Sequence, residues 1–84
     1  MYKVLIKPAA EKSIFKLLPQ DASRVFKILR NLEIEPRPPS CLKLTAEEGY
    51  RIRVGRYRIL YEVNDQEKIV IVYRVKHRKD VYRR

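Results

Sequence analysis

Apolar positions in the first third of the chain follow two different periods. Residues 2–6 alternate between apolar and polar side chains, which is typical of a strand. From Pro8 onward the apolar residues repeat at helical spacing, and Pro19 ends this first helix. Asp21 is positioned to cap a second helix. Its apolar stripe consists of Ala22, Val25, Phe26, Ile28, Leu29 and Leu32. The pattern therefore predicts a helical hairpin.

The second half of the chain returns to the two-residue period of strands. Residues 50–54 alternate strictly, and Gly55-Arg56 is typical of a two-residue hairpin turn because glycine adopts positive φ readily. Residues 57–63 form the return strand, and residues 64–67 form a second turn. Residues 69–75 are almost continuously apolar, as expected for a central strand covered on both faces.

These elements follow the order β-α-α-β-β-β, with a proline-rich loop at residues 36–39 between the helical and strand halves. The order predicts an α+β fold in which the helical hairpin packs on one twisted antiparallel sheet. We interpret residues 1–84 as a single domain because the chain is too short for two cores. A core of this size is marginal, so we expect a partner to stabilise it.

The charge of the chain indicates a polyanionic partner. Lys and Arg number 20 against 10 Asp and Glu, which gives a formal net charge of +10. Residues 50–84 hold 11 of the basic side chains and only 4 of the acidic ones. Nucleic acid, an acidic membrane surface or an acidic protein would each complement such a charge. The positive electrostatic field that attracts this partner is therefore expected to come mostly from the second half of the chain.

Cysteine, histidine and hydropathy restrict the possible classes further. Cys41 is the only cysteine and His77 the only histidine, so neither an internal disulfide nor a structural zinc site is expected. No cofactor is expected either. The chain has no apolar run of transmembrane length, and its first residues do not resemble a signal peptide. We therefore expect a cytoplasmic protein without a membrane partner.

The predicted hairpin concentrates arginines on one side of the sheet. If Gly55-Arg56 is the turn, Arg53 faces Arg58, and Arg51 shares the face of Arg53. Like charges directly opposite each other cost roughly 0.2–1 kcal/mol per pair. A bound anion would remove this repulsion, and the planar guanidinium fork suits phosphate. The alternative is a solvated face with splayed side chains.

The basic tail adds candidates for proton transfer. His77 stands among cations, and a neutral imidazole there could act as acid or base, although a simple surface histidine is the plainer interpretation. Tyr82 lies beside arginines and is either a proton carrier or an anchor on the sheet. We interpret the adjacent Glu47 and Glu48 as solvated loop carboxylates.

The segment at residues 50–63, followed by Val75-Lys-His-Arg-Lys-Asp-Val-Tyr82, resembles the RelE/ParE toxin superfamily. The resemblance covers nearly the whole chain, and it implies a compact fold like that of microbial ribonucleases. RelE-like toxins cleave mRNA in the ribosomal A site without a metal, through attack of the RNA 2′-hydroxyl on the adjacent phosphate. A cognate antitoxin that wraps the toxin surface holds them inactive. ParE-like toxins share the fold but bind and inhibit DNA gyrase.

The resemblance also implies roles for individual residues. Arg58 falls on the phosphate-binding arginine of the family, Arg78 on its second catalytic arginine and Tyr82 on its C-terminal tyrosine. Arg51 and Arg53 fall where RelE-like enzymes often have lysines. Since arginine stays protonated in proteins, neither can act as the general base. The base is therefore expected to be Tyr82, with His77 as the alternative.

The resulting prediction is a ribosome-dependent mRNA endoribonuclease. Its expected catalytic residues are Arg53, Arg58, Arg78, Tyr82 and His77, and its expected RNA-binding residues are Arg51, Arg56, Lys76 and Lys79. The expected partners are a cognate antitoxin, mRNA and the ribosomal A site. The alternative hypotheses are a ParE-like gyrase inhibitor and a nucleic-acid-binding module without chemistry.

Overall fold

Two helices pack against one face of a five-stranded mixed sheet. The computed structural model describes residues 1–77 and 79 of the chain. The elements are β1 (Lys3–Ile6), α1 (Pro8–Phe15), α2 (Pro19–Ile34), β2 (Cys41–Lys43), β3 (Tyr50–Val54), β4 (Tyr57–Asn64) and β5 (Ile69–His77). In the sheet the strands lie in the order β1-β5-β4-β3-β2. The predicted α+β class, with a helical hairpin on a sheet, is confirmed.

Two features of the sheet differ from the sequence prediction. The short strand β2 adds to the edge of β3, with Leu42 opposite Arg51, so the order becomes β-α-α-β-β-β-β. The strand β1 pairs with β5 in parallel, so the sheet is mixed and not wholly antiparallel. The strands β1 and β5 are distant in sequence, and β2 is only three residues long. The two-residue period of a strand does not indicate which strands become its neighbours.

The start of α2 also differs from the prediction. Leu18 is the N-cap residue in an extended conformation, and Pro19 occupies the first turn, where a missing backbone N–H costs nothing. Asp21 is therefore not the N-cap but an acidic residue of the first helical turn. There its negative charge still interacts favourably with the helix dipole.

The core lies between the helices and one face of the sheet. Its members share near-complete burial: Ala10 and Ile14 from α1; Val25, Leu29 and Leu32 from α2; Ile52 and Val54 from β3; Ile59 and Tyr61 from β4; Val70, Val72 and Val75 from β5. Alternate residues of β3 and β4 face this core, as the two-residue period predicts. The intervening residues consequently line the opposite face, which the two helices do not cover.

A β-bulge in β5 decides which tail residues reach that opposite face. Leu60 pairs with Arg74 and Tyr61 with Val72, so Tyr73 is an extra residue without a partner in β4. The bulge resets the alternation, so that Val75 again faces the core and Lys76 lies on the opposite face, in register with Arg58. Bulges often re-aim side chains next to functional sites.

A polar cluster fixes the proline-rich loop that leads into β2. Arg37 donates two hydrogen bonds to the Asp65 carboxylate, at 3.0 and 2.8 Å, and a third from Nε to the Tyr50 hydroxyl at 2.7 Å. Tyr2 donates to the same carboxylate at 2.7 Å. The hydrogen bonds from Arg37, and then from Tyr2, lower the pKa of Asp65 from 3.8 to about 2. The loop is thereby tied to the turn between β4 and β5.

Candidate nucleic-acid interface

The sheet face opposite the helices carries cations in rows across the strands. Arg53 of β3 lies opposite Arg58 of β4, which lies opposite Lys76 of β5. Opposed side chains in antiparallel strands have Cβ atoms only about 4.5–5.5 Å apart. The next row of partners is Arg51, Leu60 and Arg74. The predicted turn at Gly55-Arg56 and the predicted pairing of Arg53 with Arg58 are confirmed. We call this surface the basic face.

Arg58 is the centre of the basic face and its most enclosed cation. Its side chain is 5% exposed, whereas Arg51 is half-buried and Arg53 is exposed. A guanidinium keeps its charge under all physiological conditions, and its five donors form a rigid planar fork. Burial limits the rotamers of this fork, so the charge is held in place before any ligand arrives. Such preorganised positive charge is what an oxyanion on phosphorus requires.

Two cavities open on the basic face and share Arg51 and Arg58 as walls. The first has a volume of about 250 Å3, and its other lining residues are Ser40, Leu42 and Arg53. The second has a volume of about 200 Å3, and its other lining residues are Leu44, Glu47, Leu60 and Lys76. Each cavity thus combines cations with leucine side chains. A nucleotide offers the complementary combination of an anionic phosphate and flat base faces.

The structure places His77 away from the arginines. His77 lies in register with Tyr57, and their rings meet edge to face with centroids 5.2 Å apart. Because Lys76 is on the basic face, the alternation of β5 turns His77 toward the helix-covered face. Its Nδ1 accepts a hydrogen bond from the backbone N–H of Lys79 at 3.1 Å, which places the proton of the neutral ring on Nε2.

The remaining predicted site residues fall into two groups. Arg56 is exposed in the β3–β4 turn, and Lys79 is exposed just after β5. Neither lines the two cavities of the basic face. The predicted catalytic residues Arg78 and Tyr82 lie outside the described residues. The structure therefore brings together Arg51, Arg53, Arg58 and Lys76, and it separates His77 from them.

Several residues of the interface were not predicted from the sequence. Leu42 of the short strand β2 and Ser40, which precedes that strand, line the first cavity. The alternating Cys-Leu-Lys-Leu of residues 41–44 carried a weak signal for the strand. Glu47 is an exposed loop residue, as interpreted from the sequence, and it also lines the second cavity together with Arg51 and Arg58. No short-range sequence pattern indicates this position of Glu47, because the cavity is built from three strands that come together only in the folded sheet.

Metal and membrane chemistry can be judged for the described part of the chain. Residues 1–77 and 79 contain no group of three or more His, Cys, Asp or Glu side chains that could hold a metal ion. Within the same residues, neither the length nor the apolar character of any helix suffices to cross a membrane.

Comparison with known proteins assigns this fold to a family. Residues 4–82 match the family described as ParE toxin of type II toxin-antitoxin system, parDE. The chain is 33% identical to toxin RelG of Mycobacterium tuberculosis over 85 residues, which cover 99% of this chain and 98% of RelG. It is 30% identical to a chain of the archaeal RelE–RelB complex from Pyrococcus horikoshii, with a TM-score of 0.80 and coverage of 92% and 94%.

A third relative is a chain of the intact E. coli RelBE toxin-antitoxin complex, with 26% identity, a TM-score of 0.80 and coverage of 92% and 96%. Fold and sequence together define a toxin of a type II toxin-antitoxin system. The chain belongs to the RelE/ParE toxin superfamily, and these three relatives are all of the RelE type.

Proposed function

We propose that this toxin is a ribosome-dependent endoribonuclease that cleaves mRNA and so inhibits translation. The observation that carries the proposal is the position of Arg58. It is buried at the centre of a cationic row and forms a wall of both cavities on the basic face. A protein that only attracted a polyanion would need exposed charge, whereas phosphate chemistry needs charge that is fixed and partly desolvated.

The proposed reaction is an internal transfer within the RNA. The 2′-hydroxyl attacks the adjacent phosphorus, the 5′-oxygen leaves, and the extra negative charge of the transition state rests on phosphorus-bound oxygens. Arg58 and Arg53 stabilise that charge, Arg51 positions the substrate, and Lys76 binds the RNA backbone. Arg56 and Lys79 extend the basic surface outside the cavities, where they contribute electrostatic attraction to RNA.

Proton transfer completes the proposed mechanism. One group must take the 2′ proton and one must protonate the leaving oxygen. The resemblance to RelE-like toxins gives Arg78 a place near the leaving group and gives Tyr82 one of the proton transfers. His77 is the weaker candidate because its ring lies on the face that the helices cover, against Tyr57.

Primer extension on translated mRNA tests the proposal. Purified protein is added to a reconstituted translation reaction, and new 5′ ends are mapped with and without ribosomes on the message. We expect cleavage only of ribosome-bound mRNA, and activity that survives chelation of transition metals while magnesium is maintained for the ribosome. If the added protein halts translation while the mRNA stays intact, the proposal is contradicted.

The second candidate function is inhibition of DNA gyrase. The match to the ParE toxin family over residues 4–82 favours it. A supercoiling assay with purified gyrase separates the two functions, because a gyrase inhibitor blocks supercoiling and leaves translated mRNA intact. The buried guanidinium of Arg58 at the centre of a cationic row is the reason to prefer the ribonuclease.

An antitoxin is the proposed cellular partner, and the cytoplasm is the proposed location. The relatives from Pyrococcus horikoshii and E. coli were crystallised as toxin-antitoxin complexes. A toxin with a formal charge of +10 and a small core should bind an antitoxin segment that carries acidic and apolar residues. Ligand at about 100 times its Kd would stabilise the fold by about 2.7 kcal/mol. Thermal melts of the toxin with and without its co-expressed antitoxin measure this shift.

A further inference from the structure

The second cavity of the basic face contains one carboxylate among three cations. Glu47 lines it together with Arg51, Arg58 and Lys76, and Leu44 and Leu60 form the apolar walls. Glu47 carries the only carboxylate among the described lining residues of the two cavities. In the described part of the chain, the carboxylate forms no ion pair with Arg51 or Lys76. A phosphodiester bound to the arginines would therefore have a carboxylate in the same cavity.

The loop that carries Glu47 is held at both ends. The backbone N–H of Leu44 donates to the carbonyl of Gly49 at 3.0 Å, which closes the loop at its base. Gly49 is buried at a φ of 114°, and a Cβ atom there would lie 2.7 Å from the backbone oxygen of Tyr61. Only glycine permits this close approach to β4. The sequence thus fixes the place of the loop relative to the strand that carries Arg58.

The charge of Glu47 acts across the sheet. Burial is the first cause that raises the pKa of Tyr73 in β5, and the negative charge of Glu47 is the second. The charged and titratable groups that face the carboxylate are therefore Arg51 from β3, Arg58 from β4, and Tyr73 and Lys76 from β5. Three of these four groups are cations.

The arginines of the basic face and His77 are unsuitable as proton acceptors. Arg51, Arg53 and Arg58 stay protonated and cannot accept a proton. His77 packs against Tyr57 on the helix-covered face, and its Nδ1 is already engaged by the backbone of Lys79. We propose that Glu47 is the general base of this toxin, taking the proton of the RNA 2′-hydroxyl. This inference rests on the proposed ribonuclease function.

The proposed step conserves atoms, electrons and protons. As Glu47 takes the 2′ proton, the 2′-oxygen forms a bond to phosphorus, and the bond from phosphorus to the 5′-oxygen breaks. The 5′-oxygen keeps the bonding electron pair and takes up one proton from the general acid of the proposed mechanism, which regains a proton from solvent. The products are a 2′,3′-cyclic phosphate and a free 5′-hydroxyl. Glu47 then returns its proton to solvent, so the reaction neither consumes nor produces protons.

Glu47→Gln tests the proposal, with Glu48→Gln as the matched control. Glutamine keeps the shape of the side chain but cannot accept the proton. Glu47 and Glu48 are both exposed, and Glu48 lines neither cavity. Single-turnover cleavage of ribosome-bound mRNA should fall by about 10²-fold or more in Glu47→Gln, the usual contribution of a general base. Glu48→Gln should cleave at the parental rate, and Glu47→Asp should recover part of the lost rate.

Two further measurements separate catalysis from binding and folding. The melting temperature of Glu47→Gln should equal that of the parental protein, because the side chain keeps its shape. The affinity for ribosomes carrying mRNA with a 2′-deoxy group at the cleaved position should be the same for both proteins. A parental rate in Glu47→Gln, a melting temperature low enough to account for the loss of rate, or a loss of affinity equal to the loss of rate would each overturn the assignment of Glu47. Failure of the parental protein to cleave would overturn the ribonuclease function as well.

Discussion

Arg53 lies directly opposite Arg58 across the hairpin of β3 and β4, and the two differ sharply in exposure. Arg53 is exposed, whereas Arg58 is 5% exposed. The pair brings two permanent positive charges together, at a cost of roughly 0.2–1 kcal/mol to the folded state. An RNA phosphate between them would convert this repulsion into binding. Stability and ligand binding are therefore opposed at this position of the sheet.

Replacement of Arg53 by glutamine should make the protein more stable and less active. The change removes the like charge that faces Arg58, so the free energy of unfolding should rise by up to about 1 kcal/mol. It also removes one cation from the proposed phosphate site, so cleavage should slow. Urea denaturation and single-turnover primer extension measure the two effects. A variant that is less stable than the parent would show that Arg53 contributes packing that outweighs the repulsion.

Replacement of Arg58 should affect cleavage more than replacement of any other cation on the basic face. Arg58→Ala should lower the rate by about 10²-fold or more, as expected for the loss of one transition-state donor. Arg58 is buried, so its replacement by alanine also removes packing. The variant Arg58→Lys is therefore measured as well, because lysine retains the charge and loses only the bidentate fork.

The matched control for Arg58 is Arg30→Ala, which removes an exposed arginine from α2. Thermal melts identify which variants remain folded. A folded Arg58→Lys protein that cleaves at the parental rate would show that the fork geometry is unimportant, and a folded, fully active Arg58→Ala protein would remove Arg58 from the mechanism.

His77→Gln should leave most cleavage intact, while Tyr82→Phe should lose most of it. His77 contacts Tyr57 on the helix-covered face, so its loss should lower the melting temperature more than the rate. The resemblance to RelE-like toxins implies a proton transfer by Tyr82, and phenylalanine removes only the hydroxyl of this residue. Single-turnover primer extension on both variants makes the comparison. A severe defect in His77→Gln beside parental activity in Tyr82→Phe would reverse the assignment.

Acid should weaken the cluster that ties the proline-rich loop to the β4–β5 turn. The pKa of Asp65 is lowered from 3.8 to about 2 by its hydrogen bonds from Arg37 and Tyr2, so the folded state favours the ionised carboxylate. This stabilisation is complete above about pH 4 and is lost as the pH falls toward about 2.

Asp65→Asn should therefore be less stable than the parent at neutral pH, and the difference should shrink as the pH falls through that range. Melting temperatures of both proteins between neutral pH and about pH 2 test this expectation. A difference that stays constant with pH would show that the cluster acts through shape and not through charge.

The sequence alone determined the local pattern of this protein. Alternation in β3 and β4, together with a glycine that reaches a φ of 59° in the turn, was enough to pair Arg53 with Arg58 and to place Arg51 on the same side. The helical hairpin could be predicted in the same way, because a period of 3.6 residues is a property of each segment by itself. These features depend on residues close together in the chain.

Only the tertiary structure decided how these segments became a site. The bulge at Tyr73 placed Lys76 with Arg58 and turned His77 to the helix-covered face, although Lys76 and His77 are adjacent in sequence. The parallel pairing of β1 with β5, the burial of Arg58 and the approach of the Glu47 loop to β4 likewise arise between distant segments. Periodicity specifies which side of its own strand a residue occupies, whereas strand neighbours, bulges and burial are set by the packing of the whole chain.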